Sequence, residues 1–414
     1  MPKTKKNKLR KISEVKSLKG KIVLLRLTLN VPLKNNVIQN DFRLRQVIPT
    51  LEYLREKRAK TVVISHIGKD GSLGLRPIVA YLNKHLEVGF LPDGDKKRRD
   101  SVIESMRDGS ITVLENLRKL PGEVENSLKL AKELAELPGI FINEDFAASH
   151  RKHASIVGVT KILPSFAGPL FDKEVRELSR AFKPTRPFIM ILGGAKFKTK
   201  LPLVKKFLSK ADKIFIVGAL ANSFLGELDY EVGRSLVDNE FLGLAKLSRN
   251  KKIILPKDYI VKSRSGIITK LPIAINKDEK IVDVGPETVA EIKEALKGAK
   301  FVMWNGPLGK FEDGFGESTE AVAHAIAKSG AYSIVGGGDS ISAIEKLGIL
   351  DKFNFVSTGG GAALDFLAKG TLPGIEAIKK SPKKKNLWAY KTSDVLYYTK
   401  SSKYPDRENY LTSK

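Results

Sequence analysis

Short runs of apolar, largely β-branched residues alternate with helix-patterned stretches along most of the chain. Val62–Ile64, Ile111–Leu114 and Ile140–Ile142 punctuate the first half. Phe188–Leu192, Lys213–Val217, Lys252–Leu255, Phe301–Trp304 and Tyr332–Val335 punctuate the second. Strands that are apolar along their whole length, rather than at alternate positions, suit a parallel sheet covered by helices on both faces. Glycine follows several of them closely, at Gly193, Gly218, Gly306 and Gly336. Strand, then glycine, then helix is the rhythm of a doubly wound sheet, whose ligands gather at the carboxyl ends of the strands.

The best boundary lies between Pro164 and Pro187. It holds Gly168-Pro169 and a helical stretch, Asp172–Phe182, stopped by Lys183-Pro184. A helix bounded by proline on both sides, between two α/β halves, reads as a connector. The chain is therefore predicted to be α/β, with two doubly wound (Rossmann-like) parallel-sheet domains, 1–168 and 187–365, joined by a hinge helix, 169–186. A C-terminal segment, 366–382, and a basic tail, 383–414, complete the division.

Composition supports this picture: 414 residues, 42% hydrophobic and 29% charged, suffice for two real cores. The absence of cysteine excludes disulfide scaffolds, Cys-zinc sites, iron–sulfur clusters and thiol catalysis. No apolar run reaches the ~18 residues of a membrane span, and Arg26 interrupts the one stretch that mimics a signal peptide, Ile22–Leu25. A cytoplasmic location is expected. The formal charge of +27 is unusual, and part of it sits at the ends, in Lys3, Lys5, Lys6, Lys8, Arg10 and Lys11 and in the tail. Such a surface attracts phosphates of any origin, metabolites and nucleic acids alike. Tail aromatics from Trp388 to Tyr410 lie between lysines, a composition that can stack on single-stranded nucleic acid. Tails of this kind more often pack on their own protein or stay unstructured, so nucleic acid is not the expected partner.

The chemistry concentrates in glycine loops. Gly336-Gly337-Gly338-Asp339-Ser340 leaves a strand and opens a helix, Gly193-Gly194-Ala195-Lys196 precedes Lys200, and Ser357-Thr358-Gly359-Gly360-Gly361 opens another helix at Ala362. Consecutive glycines let backbone N–H groups close on an anion, and a helix N-terminus adds positive potential. Asp339 is placed to hold Mg²⁺ on a polyphosphate. One such loop is equally at home in tight strand–helix packing; three in one half favour a phosphate site. There is no Walker-type P-loop and no well-placed dinucleotide fingerprint. The first half instead sets Arg26, Arg43, His66, Lys69, Arg118 and Arg151 in or just beyond apolar segments, which suits an anion bearing phosphate and carboxylate. His150 and His153 lack a third ligand nearby, so a zinc site is not expected.

At this point the residues resemble a family. From about Ile12 to Ile378 the chain is similar to the phosphoglycerate kinases. The matching segments include Arg26–Pro32, Ser65–Lys69, Leu114–Arg118, Asn143–His153, Leu192–Lys200, Asp283–Thr288, Trp304–Glu312, Gly336–Ser340 and Ser357–Ala362. Single segments are weak, but nine in order are very specific. The resemblance implies reversible, Mg²⁺-dependent phosphoryl transfer between 1,3-bisphosphoglycerate and ADP, giving 3-phosphoglycerate and ATP. It implies substrate binding by Arg26, Thr28, Asn30, Arg43, His66, Lys69, Arg118 and Arg151 in the first domain. Nucleotide binding is implied for Lys200, Gly285, Asn305, Glu312, Gly337, Gly338, Asp339 and Ser340, with Glu312 on the ribose and Asp339 on the metal. Arg43, Lys196, Lys200, Gly337 and Gly338 would act on the phosphoryl group in transit, and Gly359, Gly360 and Gly361 would form its loop. It also implies hinge closure, a segment 366–382 returning to the first domain, and a monomer.

The chain departs from the family pattern in places. Thr28 stands where an aspartate is usual, Lys69 where an arginine is usual, Glu144-Asp145 replaces Asp-Ala and Ala147-Ala148 replaces Gly-Thr. Lys310 is an added charge near the nucleotide segment. Thr28 lacks the charge and second acceptor oxygen of an aspartate, and a lysine offers phosphate a point charge where arginine offers a fork, so a weakened Michaelis constant for the phosphoglycerate is expected. The alternative reading is a kinase-like protein that has lost catalysis and serves as a basic module for RNA or another acidic partner.

Overall fold

The computed structural model describes residues 8–195, 197–238 and 243–385. The first unit is built on six parallel strands, β1 (Ile22–Arg26), β2 (Lys60–Ile64), β3 (Gly89–Leu91), β4 (Ile111–Leu114), β5 (Ile140–Asn143) and β6 (Ser165–Ala167), in the order β3-β4-β2-β1-β5-β6. β1 pairs with β2 on one side (Val23 opposite Thr61) and with β5 on the other (Val23 opposite Ile140). The chain thus winds away from β1 in both directions. Apolar clusters cover both faces, one around Val23, Leu25, Val63 and Val113, the other around Leu24, Val62, Ile64 and Phe141. Helix α1 (Phe42–Glu56) packs on the first face through Leu44, Val47, Leu51 and Leu54.

The connector is helix α2 (Pro169–Ser179), continued by a 3₁₀ turn to Phe182. It starts three residues before the stretch read from the sequence, because Pro169 takes its first helical position, where a missing N–H costs nothing. Its Phe171 and Leu178 join the core of the second unit rather than facing solvent.

That second unit repeats the plan. β7 (Phe188–Leu192), β8 (Lys213–Ile216) and β9 (Ile253–Ile254) run outward on one side of its sheet. A three-stranded antiparallel insert follows, β10 (Tyr259–Ser263), β11 (Gly266–Lys270) and β12 (Lys280–Val284). β13 (Phe301–Asn305), β14 (Tyr332–Gly336) and β15 (Phe355–Val356) then complete the six-stranded sheet in the order β9-β8-β7-β13-β14-β15. β7 is fully buried and takes β8 and β13 as parallel neighbours. Helices α3 (Phe197–Phe207), α4 (Gly218–Glu227), α5 (Pro286–Lys297), α6 (Gly338–Lys346) and α7 (Gly361–Lys369) clothe the sheet. The last helix, α8 (Pro373–Lys380), lies against the first unit, beside residues 154–161 and β6. There Gly374 N donates to Ser149 O at 2.9 Å, and Arg10 Nη2 binds Ser381 O at 2.8 Å. Among the described residues no helix is long and apolar enough to cross a membrane.

Candidate active site

In a doubly wound sheet the crevice opens where the chain reverses direction. In the first unit this is the carboxyl end of β1, between β2 and β5. Arg26, the last residue of β1, is fully buried there. It donates Nε to Ser155 Oγ (3.0 Å), Nη1 to Leu27 O (3.0 Å) and Nη2 to His66 Nδ1 (2.9 Å). Accepting that last bond assigns the His66 proton to Nε2. Burial, then the charge of Arg26, hold the imidazole pKa far below its usual value, so His66 is neutral. His153 is pushed down to about 4 by burial and then by Arg118. Neutral imidazoles let several cations share one patch without adding to its repulsion.

A carboxylate stands in this cluster although position 28 lacks one. Asp145, fully buried, accepts from Thr28 Oγ1 at 2.8 Å and from Ala148 N at 3.0 Å through Oδ1. Its Oδ2 lies 2.9 Å from Arg26 Nη1, outside hydrogen-bond geometry. Two of the departures in sequence thus meet in space.

Around this buried layer stand the more accessible cations. Arg118 donates Nη1 to Lys69 O at 3.2 Å, while its Nε and Nη2 are buried without a partner. Desolvation, then the charge of Arg151, lowers its pKa. Lys69 and Arg151 are exposed. Asn30 Oδ1 accepts from Gly68 N at 3.1 Å, tying the β1 and β2 loops together. Arg43 projects from the first turn of α1 and donates Nη1 to Asn30 O at 2.8 Å. Its pKa is lowered by burial, against the pull of Asp145 and Glu174.

The second crevice opens beside β7. The loops after β7, β8 and β13 converge so closely that only glycine fits. Gly306 has φ +94°, and a Cβ there would stand 2.3 Å from Gly193 O. Lys200, buried on α3, donates to that same Gly193 carbonyl. These loops wall a cavity of about 580 Å³ lined by Gly194, Gly218, Pro307, Glu312 and Asp339. Gly337 (φ +98°) caps α6, which places Gly338 and Asp339 exposed in its first turn. Ser340 is turned inward instead: its hydroxyl accepts from Gly306 N at 2.9 Å and joins two loops. Asn305 is buried, with Nδ2 beside Gly336 and Gly337. Gly285 stands outside this cavity. It caps α5 and lines a neighbouring cavity, and a Cβ there would meet the Asp258 carboxylate at 2.2 Å. Lys196 and the tail residues 386–414 fall outside the described residues.

The two crevices face each other. The loop Gly359–Gly361 opens α7, and a Cβ on Gly360 (φ +52°) would stand 3.1 Å from Arg43 Nη2. Arg43 therefore spans from Asn30 of the first unit to a glycine-rich helix N-terminus of the second. Glu174, buried on α2, holds that loop: it accepts from Ser357 Oγ (2.7 Å), Thr358 N (2.6 Å) and Thr358 Oγ1 (2.8 Å). Glu144, also buried, accepts from Leu170 N (2.9 Å) and Phe171 N (3.0 Å) at the start of α2, and burial raises its pKa to about 7.

Comparison with known proteins agrees with this geometry. A sequence model described as phosphoglycerate kinase matches residues 12–370. The chain belongs to the phosphoglycerate kinase family. It is 42% identical over 382 residues to the phosphoglycerate kinase of Thermus thermophilus, covering 87% of this chain and 97% of that one. To the enzyme of Dictyoglomus turgidum it is 40% identical over 381 residues, covering 87% and 96%. Among solved structures, the phosphoglycerate kinase of Coxiella burnetii superposes with a TM-score of 0.76 at 37% identity, covering 90% of this chain and 99% of that one. That of Pyrococcus horikoshii gives 0.79 at 32%, covering 90% and 98%. Membership makes the chain a phosphotransferase. The sequence does not single out Glu174, Asn222, Arg234, Tyr259 or Lys280, the last four of which line the cavity beside β7.

Proposed function

We propose that the chain is a 3-phosphoglycerate kinase in which the first unit binds the phosphoglycerate and the second the adenine nucleotide, the transferred phosphoryl group passing between Arg43 and the Gly359–Gly361 loop. The observation that carries this is the reach of Arg43 from Asn30 O to Gly360. Phosphoryl transfer asks the protein for in-line positioning and charge neutralisation rather than covalent chemistry. The donor or acceptor oxygen is already anionic, so no general base is required. The arginine fork grips equatorial oxygens from one side. Backbone N–H groups at the start of α7, with its dipole, do so from the other. Lys200 sits at the base of the nucleotide loops and Glu312 at their lip, placed for the ribose hydroxyls.

Among the described residues no group of three or more acidic or histidine side chains is arranged as a cation site. One exposed carboxylate, Asp339 at the mouth of the cavity, suits a Mg²⁺ ion held mainly by nucleotide phosphates and water. When bound, that ion neutralises charge on the β- and γ-phosphate oxygens. Arg118, Arg151 and Lys69 take the phosphate and carboxylate of the phosphoglycerate. The reading carries a monomeric, cytoplasmic enzyme whose partners are small anions; no observation favours the RNA-binding alternative.

The test is a coupled assay with 3-phosphoglycerate, Mg-ATP, glyceraldehyde-3-phosphate dehydrogenase and NADH. Wild-type protein is expected to oxidise NADH, Arg43→Ala to lose about 100-fold or more in kcat, the scale of a lost transition-state donor, and Asp339→Ala to lose the oxidation through a weaker hold on Mg²⁺. No oxidation by folded wild-type protein would overturn the proposal.

A further inference from the structure

A buried carboxylate that the proposed mechanism does not use stands behind the first crevice. Glu123, in the loop that follows the turn Leu117–Lys119, is fully buried. A charge taken out of water is costly unless hydrogen bonds replace its hydration. The His153 ring does not supply them, since its Nδ1 stands 3.6 Å from Oε1 without a hydrogen bond. Both carboxylate oxygens grip Ser155 instead: Oε1 accepts from its hydroxyl at 2.6 Å and Oε2 from its N–H at 3.0 Å. Glu123 O also accepts from Ala154 N at 2.9 Å, so its loop is pinned to residues 154–155.

We propose, resting on the kinase reading above, that Glu123 is a positioning residue for the phosphoglycerate: it sets the direction of a hydrogen-bond chain, Glu123–Ser155–Arg26–His66, that ends on a donor for the substrate anion. A carboxylate only accepts, so the single Ser155 hydroxyl proton goes to Glu123. The hydroxyl oxygen is then left to accept from Arg26 Nε at 3.0 Å. That bond, with the one from Nη1 to Leu27 O at 3.0 Å, fixes the plane of the guanidinium, and Nη2 meets His66 Nδ1 at 2.9 Å. Nδ1 accepts there, which keeps the ring proton on Nε2. Were the Ser155 proton turned toward Arg26, two donors would meet and the guanidinium would lose its fixed plane. Arg26 is sealed from solvent, but His66 keeps 5% of its surface exposed and feels the charges of Arg118 and Arg151, two cations of the substrate patch. The His66 Nε2–H has no acceptor among the described residues and is left for an oxygen of the bound phosphoglycerate.

The test is Glu123→Gln, which keeps the shape but sets an amide donor against one of the two Ser155 groups, beside Ser155→Ala and the double variant. Each single change is expected to raise the Michaelis constant for 3-phosphoglycerate, and its dissociation constant by calorimetric titration, about tenfold. In both, kcat should stay within about threefold of wild type and the Michaelis constant for Mg-ATP should not move. The double variant should be no worse than Ser155→Ala, because both changes cut one chain. Nitrogen NMR of isotope-labelled histidine should show wild-type His66 as one tautomer, protonated at Nε2, and a mixture of tautomers in either single variant. Ser155→Ala reads the same link should Glu123→Gln not fold, and the wild-type spectrum needs no variant at all. Unchanged 3-phosphoglycerate constants in both variants, additive effects in the double variant, a loss shared by kcat and both Michaelis constants, or a wild-type proton on Nδ1 overturns the inference. Weakened 3-phosphoglycerate binding in the variants of a protein that transfers no phosphoryl group would uphold this inference and overturn the kinase reading. Transfer by wild type, with unchanged 3-phosphoglycerate constants in both variants, would do the reverse.

Discussion

Thr28 and Asp145 show how a substitution read alone misleads. From the sequence, the missing carboxylate at position 28 predicts a weaker grip on the phosphoglycerate. In the structure the Asp145 carboxylate accepts from the Thr28 hydroxyl at 2.8 Å and faces Arg26 at 2.9 Å, so the negative charge in this layer comes from the loop after β5 instead. Restoring the family residue should therefore harm the protein. Thr28→Asp would set two carboxylates in contact inside a buried cluster, where like charges are poorly screened. It is expected to lower stability by about 1–3 kcal/mol and to raise the Michaelis constant for 3-phosphoglycerate. Asp145→Ala alone strands the buried Arg26 guanidinium, at a cost of about 3–5 kcal/mol. The double variant returns one carboxylate to the cluster and should lie closer to wild type than either single change. Denaturant midpoints of the four proteins form a double-mutant cycle, and additive effects would show that the two positions do not share a charge.

Helix α2 carries the corresponding lesson for elements. Its apolar stripe runs through Leu170, Phe171 and Leu178, and Glu174 sits within that stripe, one turn from Leu170 and Phe171. A charged residue on the buried face of a helix is a signal available in the sequence, yet it says nothing of the partner. The partner, the loop Ser357–Thr358, is more than 180 residues away, and only tertiary structure supplies it. The same limit explains the rest of the site. The fully apolar strands and their trailing glycines are legible because a strand buried on both faces is apolar at every position. The antiparallel insert β10–β12 was not: β11 is exposed along most of its length and has no buried face to write a pattern. Gly285 reads like a ligand glycine beside its strand, whereas its missing side chain makes room for Asp258. The role expected of Glu174 follows from its three bonds to the loop that opens α7. Glu174→Gln keeps the volume but can accept at one oxygen only. It is expected to cost about 1–3 kcal/mol of stability, and to reduce kcat about tenfold with a smaller change in either Michaelis constant. Loss confined to stability, with kcat intact, would mean that the helix anchors the loop without positioning it.

Across the whole molecule, the two units are also joined outside both crevices. Glu345, near the end of α6, accepts from Asn40 Nδ2 at 2.5 Å and pairs with Arg45. Arg45 is held in turn by Asp41 at 2.8 Å, and Asp41 by the Tyr81 hydroxyl at 2.8 Å. Asn40 and Arg45 flank Arg43 in the chain, and Glu345 shares its helix with Asp339. A latch on these residues therefore fixes the distance between Arg43 of one crevice and Asp339 of the other. Surface ion pairs are worth only ~0–1 kcal/mol, which is small against folding but enough to shift a two-state closure several-fold. Glu345→Ala is thus expected to leave the unfolding midpoint within about 1 kcal/mol of wild type while raising both Michaelis constants a few-fold at low ionic strength. In about 1 M salt, where the screening length falls to ~3 Å, wild type should approach the variant. The exchanged pair Arg45→Glu with Glu345→Arg should recover much of the low-salt behaviour, because the attraction survives reversal even though Asp41 then opposes it. Kinetics of Glu345→Ala indistinguishable from wild type at low salt would show that the closed arrangement is held by the connector and the substrates alone, with Glu345 a bystander on the rim.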